Sequence, residues 1–382
     1  MKSSSPVVPL GPWIKGIQNV NDPVMTPKGC LIEAENVLID SGGVVSPRAG
    51  YDLVTAGGHS LFKFQNRSFG VLNGHIVEFL ESNAKPLFAG IDGKVSWGVL
   101  NDMPVFTNNG VLGFIEGEVG KLIGVEEPGG FAVSNPGGTI AVAISFVSGT
   151  GEEGPLSAAT KVGTHSTLHL PLPLEATATK VRVYQTKPDG DVLYEVSEVD
   201  PGSNYKIETS VEYGRPATTQ FKSRMPGGSY VRYWRGRLLV VRGHTLFVSE
   251  PMRYGLYDAS SGRVPFEGRI DFIEPVEGGV FVGLRGIGVR FLAGDSPDKW
   301  ENKLADVIPA QPGGSLIVPT AQMKLEMQFP PDWVAVWFTQ KGFALGLPNG
   351  NVIYPQADLL SGLPLGNGSL HFEGDRLIAL SQ

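Results

Sequence analysis

The sequence predicts an all-β fold: a β-propeller of about five to seven blades interrupted by an inserted β-sandwich. Three observations lead there. Glycine (51) and proline (29) together make up about a fifth of the 382 residues, while charged residues are only 18%, a balance that suits short strands and tight turns better than long helices. One unit recurs along the chain, a short apolar or alternating strand, a turn at Gly or Asn, and a second strand. The turn glycines are spaced 36 residues apart from Gly74 to Gly110, 43 from Gly243 to Gly286 and 56 from Gly286 to Gly342, and periods near 40–50 are those of four-stranded blades.

Taken in order, residues 1–28 carry Pro6, Pro9, Pro12, Pro23 and Pro27 and read as an extended N-terminal arm that packs on its own domain or a neighbour. In "GCLIEAENVLIDSGGVVSPRAGYDLV", Leu31–Asn36 fits one helical turn, followed by a strand, a Gly42-Gly43 turn and a second strand. The hairpin units are "RSFGVLNGHIVEFL" (67–80), "MPVFTNNGVLGFIEG" (103–117), "GRLLVVRGHTLFVSE" (236–250), "GGVFVGLRGIGVRFLAG" (278–294) and "VAVWFTQKGFALGLPNGNVIY" (334–354), with a partial copy at 368–382. Gly74, Gly110, Gly243, Gly286 and Gly342 are expected to supply the positive φ that tight hairpin loops need. The wide gap between Gly110 and Gly243 holds strands at 139–147, 167–170, 179–186, 191–199 and 204–208, flanked by "EEPGG" and "RMPGG". The expected organisation is therefore an arm (1–28), a discontinuous propeller (29–128 and 226–382) and an inserted sandwich (129–225).

The net charge of −7 argues against binding driven by phosphate neutralisation, although a conduit through which DNA slides tolerates it. The single cysteine, Cys30, excludes an intrachain disulfide and reads as a small buried apolar residue. No apolar run has the length of a secretory core or of a membrane span.

Catalytic patterns fail on context. "GTGEEG" (149–154) has the letters of a dinucleotide-binding loop, but a proline and a β-rich stretch follow instead of a helix. His165 and His169 lie on or beside a strand, where the rise separates them by roughly 13 Å, so they read as surface histidines and not as a zinc pair. Asp295 and Asp298 in "GDSPDKW" are the nearest approach to a glycosidase carboxylate pair, with turn capping as the alternative. Trp13, Trp97, Trp234, Trp300, Trp333 and Trp337 could line a sugar site or pack between blades. Arg232, Arg235, Arg237, Arg242 and Arg253, with Glu250 beside them, form the densest basic cluster and are candidate subunit contacts; a solvated face is the other reading. No cofactor, metal or catalytic set is expected.

A family resemblance follows from these residues. "EAENVLIDSGGVVSPRAGYDLV" (33–54), with Asn36, Arg48, Gly50 and Tyr51, resembles the segment that precedes the first blade in tail nozzle and packaged-DNA stabilisation (tail tubular) proteins of tailed bacteriophages. "YWRGRLLVVRGHTLFVSEPMRYGLYD" (233–258) and "FEGRIDFIEPVEGGVFVGLRGIGVRFLAGDSP" (266–297) are similar to the blades that follow their inserted domain. "AVAISFVSGTGEEGPLS" with "TKVRVYQTKPDGDVLYEV" resembles a fibronectin type III-like module, carrying Gly-Glu-x-x-Pro-x-Ser and Arg-x-Tyr-x-Thr. The similarity covers most of residues 30–300, and the chain is short for a nozzle. The resemblance implies a non-enzymatic virion protein, made in the host bacterial cytoplasm and assembled as a hexameric ring around the DNA exit channel. Its neighbours would be a portal-adaptor or tail tube above and fibres or a tail needle beside or below, with DNA passing through without sequence-specific binding. The rival readings are a carbohydrate-binding or carbohydrate-active propeller, and an adhesin whose inserted sandwich binds the cell surface.

Overall fold

A computed structural model describes residues 12–34, 37–40, 42–48, 55–81, 83–322, 331–363, 366–373 and 376–381. These residues are all-β, with only three single-turn 3-10 segments, at Pro23–Met25, Pro297–Lys299 and Thr320–Gln322. No described helix is long and apolar enough to cross a membrane. The chain divides into two compact units, residues 57–270, and residues up to 56 together with 271 onward.

Among the described residues five four-stranded antiparallel sheets follow one another, each a meander whose neighbouring strands are H-bonded in chain order. Sheet 1 comprises His59–Phe64, Arg67–Leu72, His75–Phe79 and Ala84–Ala89; sheet 2, Ser96–Leu100, Met103–Thr107, Leu112–Glu116 and Val119–Leu122. Sheet 3 is Tyr230–Trp234, Arg237–Arg242, Thr245–Val248 and Arg263–Pro265; sheet 4 is Ile270–Val276, Gly279–Leu284, Gly288–Ala293 and Glu301–Asp306. Sheet 5 is Ala310–Pro319, Trp333–Thr339, Gly342–Gly346 and Val352–Ile353, and a hairpin, Gly368–Glu373 with Arg376–Ser381, follows it. Each full hairpin unit read from the sequence is present as part of one of these meanders.

The strand sequences explain their places. Leu238–Val241 in sheet 3 and all of Gly279–Leu284 in sheet 4 are buried along their length, as uninterrupted apolar runs require when both faces of a strand are covered. The last strand of sheet 4 is polar instead: Glu301, Asn302 and Lys303 lie exposed on its edge, which discourages pairing with a further strand.

Within each unit the sheets share their cores. Phe69, Ile76 and Leu87 of sheet 1 pack with Trp97, Phe106 and Ile115 of sheet 2. The other face of sheet 2, through Leu100, Val105 and Leu112, packs with Val231, Leu238 and Val240 of sheet 3. In the second unit, Phe272, Phe281 and Phe291 of sheet 4 enclose Trp337 of sheet 5, whose ring lies 5.4 Å from Phe272 and 5.3 Å from Phe281.

Between sheets 2 and 3 the segment 129–225 forms two sheets of its own. The larger pairs Glu153–Leu156, Thr160–Val162 and Ala178–Gln185 with the long strand Pro136–Ser148, and Tyr194–Val199 with Ala178–Gln185; the smaller joins Ala132–Val133, Thr167–His169 and Asn204–Lys206. Ile140, Val142, Ile144, Phe146, Val181 and Val183 of the first pack on Leu168 of the second. The strands 153–156 and 160–162 are additional to those read from the sequence. This segment belongs to the same compact unit as the sheets on either side of it.

Three local expectations need correction. Leu31–Ala34 forms no helical turn: Leu31 N donates to Gly16 O at 2.8 Å and Leu31 O accepts from Gln18 N at 2.7 Å, a bridge that uses the groups a helix would need. Residues 12–28 are not uniformly extended either, since Asp22 caps the 3-10 turn at Pro23–Met25 and Trp13 N donates to Gly43 O at 2.8 Å. Gly74, Gly243, Gly286 and Gly342 have φ between 65° and 85°, but Gly110 does not have positive φ. There the Asn108 side chain makes the turn, its Oδ1 accepting from the amides of Gly110 and Val111 at 3.0 and 2.8 Å, a polar bridge available to any residue at the glycine position.

Trp337→Ala removes the ring at the centre of the sheet 4–sheet 5 core and is expected to cost about 3–5 kcal/mol of stability. Urea unfolding followed by circular dichroism measures it.

Candidate functional site

The larger sheet of the inserted segment is covered on both faces, and alternation along its strands separates them. In Pro136–Ser148 the side chains of Ile140, Val142, Ile144 and Phe146 enter the apolar core, so Ala143 and Ser145 point the other way. In Ala178–Gln185, Val181 and Val183 take the core face and Arg182 and Tyr184 the opposite one. That second face carries a buried charged network.

Glu153 is its centre, with a side chain 6% exposed. Its Oε1 accepts from Tyr184 OH at 2.6 Å, Ser145 Oγ at 2.7 Å and Thr219 Oγ1 at 3.4 Å. Its Oε2 accepts from Arg182 Nη1 at 2.9 Å. Arg182, itself 9% exposed, donates through Nη2 to Glu198 Oε2 at 2.9 Å, and its Nε lies 3.2 Å from Glu195 Oε1. The register places Arg182 directly opposite Glu198. Burial opposes the Arg182 charge, but the hydrogen bond to Glu198 and the Glu153 carboxylate overcome it and hold its pKa above the ordinary arginine value. Burial, and then the Glu153 carboxylate accepting its proton, keep Tyr184 firmly in the phenol form.

A cleft of about 660 Å³ opens beside this network. Thr150, Glu152, Glu153, Arg182, Arg215 and Thr218 of the inserted segment line it, facing Leu100, Met103, Phe114 and Ile123 around sheet 2 and Met252, Arg253, Tyr254 and Leu256 after sheet 3. Glu152 is solvent-exposed yet hemmed in by the cleft walls; the lost hydration raises its carboxyl pKa although Arg224 and Arg253 pull the other way. At the back, two glycines let backbones touch: a Cβ on Gly255 would stand 2.3 Å from Gly124 Cα and 2.4 Å from Glu152 Oε1.

Ion pairs hold the strands returning from the segment. Arg224 Nη1 donates to Glu175 Oε1 at 2.6 Å, and Lys222 Nζ to Glu250 Oε1 at 3.0 Å and Asp258 Oδ2 at 2.8 Å. The Lys222 bond, with the Ser260 hydroxyl and the amides of Ser260 and Ser261, depresses the Asp258 pKa far below the usual carboxylate range.

The five arginines singled out in the sequence do not form one patch. Arg232 donates to the carbonyls of Trp97 and Val231 at 3.0 and 2.9 Å, and Arg237 to the Ser249 carbonyl at 2.7 Å. Arg253 faces the cleft, with Nη1 3.3 Å from Thr218 Oγ1. Arg235 is exposed beside the Trp234 ring, 5.5 Å from its centroid. Arg242 is exposed at the other end of its strand, five residues or about 17 Å from Arg237 by strand rise. Glu250 is committed to Lys222.

The other candidates are dispersed. Arg48 is exposed at the end of a short hairpin of Val37–Ile39 with Val45–Pro47; Asn36, Gly50 and Tyr51 lie outside the described residues. His165 sits in a turn with φ 65°, and His169 Nδ1 is 2.8 Å from Asn204 Oδ1 on the neighbouring strand. Asp295 and Asp298 lie around the 3-10 turn Pro297–Lys299. Trp97, Trp234 and Trp337 are buried among the sheets, whereas Trp333 is 53% exposed. Cys30 is buried and free. "GTGEEG" bridges two strands, 136–148 and 153–156, and opens no helix.

Sequence reasoning passed over the Glu153 network. Its signal lay in "KVRVYQ", where Arg and Tyr alternate with valine in a strand and so demand a second polar but buried face.

No protein-family model and no curated protein matches the chain. Among solved structures, the computationally designed protein Ika8 aligns over 86% of this chain and 96% of its own at 10% identity and TM-score 0.27. BBS1N, solved in complex with ARL6DN, aligns over 85% and 88% at 11% identity and TM-score 0.29. PorZ, a bacterial surface component of the type-IX secretion system of Porphyromonas gingivalis, aligns over 87% and 52% at 13% identity and TM-score 0.18. Similarity at this level assigns no function.

Glu153→Ala leaves Arg182 buried with less of its compensating charge and is expected to cost about 3–5 kcal/mol; Glu153→Gln, which keeps an acceptor, should cost less in the same urea experiment. Because the folded pKa of Asp258 is depressed, its contribution is complete above the unfolded value near 4 and is lost as pH falls toward the folded one. Midpoints measured from pH 6 to pH 2 should therefore fall less steeply for Asp258→Asn than for the parent.

Proposed function

We propose that this chain is a structural wall subunit of a phage tail: a β-propeller carrying an inserted fibronectin type III-like sandwich, assembled as a ring at the nozzle, neck or tail tip. The ring retains the packaged genome and opens for ejection, so the function is mechanical and the protein acts in the virion. The observation that carries the reading is the succession of four-stranded meanders, with cores shared between adjacent sheets of each unit, in register with the sequence segments that resemble nozzle blades. The disposition of charge supports it: the strongest buried charges serve internal ties, as a wall under pressure needs, and the acidic chain lets DNA pass without holding phosphate.

Of the basic candidates, Arg235 and Arg242 are assigned to contacts between neighbouring copies, because both are exposed. Electron microscopy of the purified protein should show closed rings, six copies in each, and virions should contain it. Replacing both Arg235 and Arg242 with alanine should shift the population from rings to monomers with unchanged circular dichroism. A protein that stays monomeric at all concentrations and is absent from virions overturns the reading.

A further inference from the structure

The cleft beside Glu153 has a chemistry of its own. Its carboxylates have little to offer a cation: Glu153 already accepts from Arg182, Tyr184, Ser145 and Thr219, and Glu152 is faced by Arg224 and Arg253. The arginines do have capacity left. Arg215, with a side chain 63% exposed, spends only its Nε, on Glu195 Oε2 at 2.9 Å; among the described residues its two terminal nitrogens make no hydrogen bond. Among the described residues Arg253 spends only Nη1 of its guanidinium, on Thr218 Oγ1. A guanidinium with an open edge suits a carboxylate, sulfonate or phosphate. The same cleft is lined by Leu100, Met103, Phe114, Ile123, Met252 and Leu256, apolar surface in which two methionines can adapt to an occupant's shape. The volume of about 660 Å³ lies in the range of small-molecule sites.

We propose that this cleft binds an organic anion, an acidic group joined to an apolar body, with Arg215 and Arg253 taking the charge and the Met103–Met252 wall taking the body. The anion can be a free amphiphile or an acidic side chain next to an apolar one in a partner's peptide segment. The two sources present the same chemistry to the cleft.

The fluorescent aromatic sulfonate 1-anilinonaphthalene-8-sulfonate is the probe, titrated into the full-length native protein. One saturable site per chain is expected, with affinity that falls as salt is raised. Arg215→Ala and Arg253→Ala should each weaken it about tenfold, the loss of one charge-assisted contact, while Lys206→Ala, exposed and outside the cleft, leaves it unchanged. In the unsubstituted protein, labelled Met103 and Met252 methyl resonances should move on addition of the probe while Met25 and Met225 stay, a readout that does not depend on any variant folding. Displacement by phenyl phosphate identifies a free amphiphile as sufficient; displacement only by N-acetyl-phenylalanyl-aspartyl amide identifies the peptide source. Absence of a saturable site, unchanged affinity in both arginine variants, or methyl shifts confined to Met25 overturns the proposal. Its failure leaves the ring reading untouched, because that rests on assembly.

Discussion

The apolar cores between sheets 1, 2 and 3, and between sheets 4 and 5, are each built from two sheets at once. A four-stranded sheet of five-residue strands cannot enclose apolar side chains by itself, so each one is stable only with a neighbour pressed on its face. Sheet 2 shows the constraint most plainly. Trp97, Phe106 and Ile115 belong to the core shared with sheet 1, while Leu100, Val105 and Leu112 belong to the core shared with sheet 3. The alternation of side chains along a strand thus feeds two cores at once. It accounts for the apolar inner strands and the aromatic rings concentrated where two sheets meet.

The inserted segment follows the same rule with different chemistry. One face of its larger sheet packs on its own smaller sheet through aliphatic side chains. The other face is covered too, and there the filling is ionic: Glu153, Arg182 and Tyr184, with Ser145 and Thr219 satisfying the remaining acceptor sites. A buried ion pair of this kind adds little stability over an apolar equivalent, but it is costly to break on one side. Such a network tolerates few alternative arrangements, and it fixes how the loop at Glu152 meets Gly255 and Gly124.

Much of the fold was legible because its signals are local. The Asn73-Gly74 and Gly243-His244 turns, the apolar runs 238–241 and 279–284, and the alternating strands of the insert depend on φ angles and period-two burial, which neighbouring residues decide. Places where a side chain replaced a backbone preference were harder to read. Gly110 looked like a positive-φ glycine, but the Asn108 side chain makes that turn; Leu31 looked helical, but the Gly16 carbonyl, distant along the chain, claims its amide.

The candidate site was less legible than the fold. Spacing placed Arg232, Arg235, Arg237, Arg242 and Arg253 within 22 residues of one another, yet hairpin geometry sends the first four to different ends of one sheet, and Arg253 turns away to the cleft. Conversely, Glu153, Arg182 and Thr219 are far apart in sequence and meet at a single carboxylate. By itself the sequence determined the all-β class and the repeating hairpins, because strand and turn formation are governed by residues close along the chain. Only the tertiary structure decided which charges are buried together and where a cleft opens, because these depend on which strand faces come to oppose each other, a relation set by packing between segments far apart in sequence.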